Sequence, residues 1–164
     1  MKDGCFVEPQ ETVPYELDAN RFAADLLMPQ PFFTEDMDSL PFGLQSVERL
    51  SAKYLTSLEA TARHYVDLSL RSCALVIVEA LADGTITQSG SRHKVRYHKR
   101  SRSFKHFIHP GTEIVSDSPI AQAALIGSGL ILIDEVPGWV LGLRPERRFI
   151  AHCRPWGKAG DVLV

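Results

Sequence analysis

The sequence predicts an α+β protein: short helices first, then a mixed, largely antiparallel sheet of roughly four or five strands with one or two helices. Three observations carry this reading. Apolar residues recur at helical spacing between Tyr15 and Ser69. Cys73–Ala80 (CALVIVEA) is a continuous apolar, β-branched run, suited to a strand buried on both faces. Lys94–His98 alternates, with Val95 and Tyr97 on one side and Lys94, Arg96 and His98 on the other, as in a half-exposed strand. At 164 residues, 45% hydrophobic and 23% charged, the chain has the composition of one globular domain, or of a domain with a substantial appendage.

The elements follow in order. Residues 1–14, with Pro9 and Pro14, read as a loop. Tyr15–Met28 is a helix stopped by Pro29 and Pro31. Residues 29–43, with three prolines and Gly43, read as a linker with at most a turn of helix at Phe33–Met37. Val47, Leu50 and Tyr54 share one helix face; Leu58, Ala62, Tyr65, Val66 and Ser69 share another, with Thr56-Ser57 as the N-cap. Asp83-Gly84 is a turn after the first strand. Pro119–Ile126 is a helix capped by Ser118, and Leu130–Asp134, Arg148–Cys153 and Asp161–Val164 are strands.

The even charge total of −2 hides a segregation. Residues 1–40 carry nine acids against two bases, a local −7, while residues 92–112 carry seven bases and no acid, a local +7. Four of the six histidines (His93, His98, His106, His109) fall in the basic stretch. Such a block can bind an acidic surface or simply be a solvated hairpin, and the total charge disfavours a dedicated nucleic-acid binder. No apolar run approaches the roughly 18 residues of a membrane span, and the N-terminus lacks the apolar core of a secretory signal. Three cysteines with no CxxC pair suggest reduced thiols and a cytoplasmic location.

The sharpest feature is a carboxylate on the wrong face. On a helical wheel Ala19, Phe22, Ala23, Leu26 and Leu27 occupy one arc, with Asp18, Arg21 and Asp25 opposite. Glu16 and Asn20 fall inside the apolar arc, one turn apart. If that arc is buried, the acid needs a metal, a cation or donors. If it is not, Glu16 is an ordinary first-turn acid interacting with the helix dipole.

The residues themselves go further. Glu16-x-x-Ala19-Asn20-x-Phe22-Ala23-Ala24-x-Leu26-Leu27-Met28-Pro29 closely resembles the second helix of the ImmA/IrrE zinc metallo-endopeptidases. LSAKYLTSLEATARHYVDLS looks like that family's following helix pair, and SCALVIVEA like its sheet region. The resemblance implies a zincin-like peptidase remnant with a helix pair over residues 1–70 and a C-terminal α+β domain, GAF-like in some members, over 71–164. It implies that Glu16 is the third zinc ligand and Asn20 its supporting residue. Two histidines of an HExxH helix would complete the site, and the substrate would be a repressor-type transcription regulator. None of the six histidines here is followed by Glu, so two ligands and the general base are missing. The chain is therefore expected to be the C-terminal portion of such a protease. Zinc would belong to the complete protein, this fragment would not hold it alone, and a partner chain would cover the 16–28 helix.

Other classes compete. The pair spanning Val47–Leu68 could be a helix-turn-helix, with Arg63 and His64 as base readers opposed by Glu59 and Asp67. Residues 72–164 could be a ligand sensor, with Phe104, Phe107, Ile108, Trp139 and Trp156 lining its pocket or simply forming core. The four clustered histidines match no closed zinc spacing. His152 and Cys153, adjacent on a strand, should face opposite ways and cannot form a catalytic pair.

Overall fold

The computed structural model describes residues 14–81, 93–124, 131–155 and 162–164. Four helices come first: α1 (Pro14–Leu27), α2 (Gln30–Asp38), α3 (Leu44–Tyr54) and α4 (Leu58–Leu68). Strands β1 (Ala74–Ala80), β2 (His93–Arg100) and β3 (Glu113–Ile114) follow, then α5 (Pro119–Ala123). The chain continues as β4 (Leu132–Pro137), a 3-10 turn at Gly138–Leu141, β5 (Arg148–Pro155) and β6 (Val162–Leu163). The α+β class and the order of helices before sheet are as expected. The predicted Asp83-Gly84 turn lies outside the described residues.

The six strands form one sheet in the order β3-β2-β1-β6-β5-β4. Each described pairing is antiparallel, so the sheet is not mixed. Its two faces carry separate cores. Val76, Val78, Val95, Ile114, Val136, Ala151 and Val162 pack with α5, Phe104 and Ile108 on one side. Leu75, Ile77 and Leu163 pack on the other, against Met28, Phe33, Leu50, Tyr65 and their neighbours from the helices. The central β1 is thus buried on both faces, as its unbroken apolar run requires.

Two local expectations are corrected. The proline-rich stretch is a nine-residue helix, α2, rather than a linker. Pro29 occupies the N-cap and Pro31 the first turn, where a missing N–H costs nothing because those donors have no partner within the helix. Asp36 of α2 then accepts from Lys53 Nζ at 2.5 Å and from the Tyr54 hydroxyl at 2.6 Å, clamping α2 to α3. Burial, followed by that bond to Asp36, pushes the Tyr54 phenol up to about 12.

The second correction is in β2. The register shifts between Ile77 and Val78: Ile77 pairs with Tyr97 but Val78 with Val95, leaving Arg96 as the extra residue. This bulge sends Val95 into the first core and Tyr97 to the second, so the two do not share a face. The caps at Ser57 and Ser118 form as read: Ala60 N–H donates to Ser57 Oγ at 3.1 Å and Ala121 N–H to Ser118 Oγ at 3.2 Å.

Candidate functional site

Among the described residues, helix α1 meets the rest of the protein at its C-terminal end. Ala24 packs on the helical core and Met28, just past its end, is 1% exposed. The apolar arc looks outward: Phe22, Leu26 and Leu27 are 70%, 68% and 56% exposed. Phe32 at the start of α2 is also exposed. Glu16 and Asn20 lie on the same helix; their side chains are outside the described residues.

A catalytic zinc site takes three protein ligands and a structural one takes four. Among the described residues no three His, Cys, Asp or Glu side chains converge in that way. The resemblance names Glu16 as the one donor from this chain, and that side chain lies outside the described residues. The histidines of the 93–109 stretch are not gathered into a metal set either. His98 and His109 instead meet Phe107 edge-on, at centroid distances of 4.7 and 4.8 Å.

The helix pair does not hold its base-reading candidates ready. Arg63 pairs with Glu59 one turn away and lies over the Tyr97 ring, 4.2 Å from its centre. His64 is buried, with Nε2 3.0 Å from the Met28 carbonyl oxygen. The basic stretch is also partly engaged. Lys94 pairs with Glu79 at 3.2 Å and Lys99 with Asp67 at 2.8 Å. Arg96, Arg100, Arg102 and Lys105 remain solvent-exposed. Cys153 is 1% exposed within the first core, whereas His152 faces α3, so the strand does separate them.

A cleft of about 420 Å³ lies within the usual range for small-molecule sites. It runs between the two cores. Leu44, Val47 and Tyr65 line it from the helices, Val76 and Val136 from the sheet, and Phe104 and Ile108 from the loop after β2. Two of the five aromatic-pocket candidates, Phe104 and Ile108, therefore lie where a sensor pocket would need them. Phe107 and Trp139 are exposed, and Trp156 is outside the described residues.

The polar features of the cleft gather at the Phe42–Gly43 step. Gly43 precedes α3 with φ +140°, a conformation that side chains rarely adopt. The His152 ring packs against it so closely that a Cβ there would lie 2.5 Å from Cε1. The Gly43 backbone N–H donates to the Tyr65 phenolic oxygen, although burial still holds that phenol above its usual value. The Arg71 guanidinium lies over the Phe42 ring, 5.2 Å from its centre. Burial lowers the affinity of His152 for a proton, and its buried Nδ1 has no hydrogen-bond partner among the described residues.

Sequence reasoning missed Gly43, Tyr65, Arg71 and His152 as a group because they come from four separate segments. Only the positive φ of a glycine before a helix was locally readable. No family model matches the chain, and no curated protein matches it.

Proposed function

We propose that the chain is the C-terminal portion of an ImmA/IrrE-type zinc metallo-endopeptidase acting on a repressor-type regulator in the cytoplasm. The supporting observation is the unpartnered apolar arc of α1. Phe22, Leu26 and Leu27 are exposed on a helix whose packing on the helical core, among the described residues, runs through Ala24 and Met28. An HExxH helix laid on that arc would cover them and bring two histidines to the side on which the wheel places Glu16. Alone, the chain contributes one ligand, Glu16, with Asn20 one turn later, and it does not hydrolyse peptides.

The test is to read the coding sequence upstream of Met1 for about 150 codons, one domain's worth. An in-frame HExxH is expected. The protein that includes it should hold zinc, and Glu16→Ala should lose both the metal and repressor cleavage. A stop codon with no such helix, or a Glu16→Ala protein that keeps its zinc, overturns the reading.

A second reading is favoured by the cleft: residues 71–164, GAF-like in this view, act as a ligand-responsive module. Its walls come from both cores, so an occupant would bear on the packing of helices against sheet. Ligand binding should raise the melting temperature of the chain.

A further inference from the structure

We propose that the cleft between the two cores takes a small apolar carboxylic acid, its carboxylate seated at the Phe42–Gly43 rim between the Arg71 guanidinium and the His152 imidazole. This rests on the ligand-responsive reading and is independent of the zinc reading.

The body of the ligand follows from the walls. Leu44, Val47, Val76, Phe104, Ile108 and Val136 offer aliphatic and aromatic surface, in a volume of about 420 Å³. A sugar or nucleotide would leave many hydroxyls without partners there. An aliphatic or aryl-alkyl chain would not.

The head group follows from the rim. No lining side chain is a carboxylate, and Arg71 forms no ion pair among the described residues. A cationic ligand would meet an uncompensated arginine, whereas a carboxylate would pair with it. The His152 ring flanks the same step. Its Nδ1 is buried with no hydrogen-bond partner among the described residues, an arrangement that costs free energy unless something completes it. The Phe42–Gly43 step links the two groups, because Arg71 stacks on Phe42 and the His152 ring packs on Gly43. An anionic group placed there would pair with Arg71 and lie beside the His152 ring, while a neutral apolar molecule would leave Arg71 without a counter-charge.

The full chain should be titrated by calorimetry with decanoate and 3-phenylpropionate, and with the neutral counterparts decanol and 3-phenylpropanol. At least one acid is expected to bind saturably, about tenfold tighter than its alcohol. Arg71 is exposed, so Arg71→Met should fold normally; it should remove that preference and leave alcohol binding unchanged. The His152 imidazole resonances should shift with the acid and not with the alcohol. Equal binding of acid and alcohol, or an acid preference that survives Arg71→Met, overturns the head-group assignment while leaving a ligand cleft. Failure of all four probes to bind overturns both the assignment and the ligand-responsive reading.

Discussion

His64 Nε2 donates a hydrogen bond to the main-chain carbonyl of Met28 across 3.0 Å, tying the end of α1 to the middle of α4. That carbonyl follows the last residue of a helix, where acceptors lack partners within the helix. The Met28 side chain is buried beside it, with Thr56 Oγ1 3.6 Å from its sulfur. One histidine thus secures the end of α1 on the helical core.

Removing it should be costly. His64→Ala leaves a buried carbonyl unpaired and a space beside Phe33, whose ring meets the imidazole edge-on at 4.8 Å. A loss of about 2–4 kcal/mol is expected in denaturant melts. Amide exchange along α1 should accelerate more than in β1.

The same residue sets a pH dependence. Burial lowers the His64 pKa, only partly offset by the Met28 carbonyl, Asp25 and Asp67, and burial lowers His98 and His152 likewise. In the unfolded chain these imidazoles titrate near 6.5. The folded state therefore binds fewer protons, and its stability is fully present above pH 6.5. It declines as pH falls from 6.5 through the lower folded-state values. Unfolding free energy should drop between about pH 7 and pH 5, above the range of most carboxylates. His64→Gln, which keeps a donor but does not titrate, should shrink that slope. An unchanged slope would locate the effect elsewhere.

Much of the architecture could be read from local pattern. CALVIVEA announced a strand buried twice, and the serines at 57 and 118 announced helix starts, because each signal needs only its neighbours. The misses share a different cause. Pro29 and Pro31 look alike as breakers and as first-turn residues, and what decides between them is Phe33 and Met37 packing on the helical core. The bulge at Arg96 and the two-residue β3 depend on the partner strand. The helix-turn-helix alternative needs His64 exposed, and nothing local tells a buried, bonded histidine from an exposed one. The cleft is a product of tertiary packing and had only Phe104 and Ile108 as advance notice.

Gly43 and His152 allow a sharper test of that packing. Gly43→Ala meets two separate penalties: a φ of +140° and a Cβ 2.5 Å from the imidazole. A destabilisation of more than about 2 kcal/mol is expected. The double variant with His152→Ala should relieve the clash but not the backbone strain. It should therefore be less destabilised than the sum of the single variants. Simple additivity in a double-mutant cycle would show that the ring is not what fills the space.

Leu55 offers a change in the opposite direction. It ends α3 in the left-handed region at φ +53°, with 91% of its surface exposed. A leucine there strains the backbone without contributing burial, so Leu55→Gly or Leu55→Asn should stabilise by about 0.5–1 kcal/mol. Chemical denaturation of the variants against the parent chain reads this directly.

The exposed arc of α1 yields the prediction closest to function. Phe22 and Leu26 contribute nothing to the core, so Phe22→Ser with Leu26→Gln should leave stability within about 0.5 kcal/mol of the parent. Solution behaviour should change instead. Phe22, Leu26, Leu27 and Phe32 all present apolar surface to water, an arrangement that promotes association. Sedimentation velocity over a concentration series should show the parent chain self-associating and the double variant associating less. If the double variant unfolds more readily at low concentration, the arc is already covered within a single chain, and the case for an external helix on α1 falls with it.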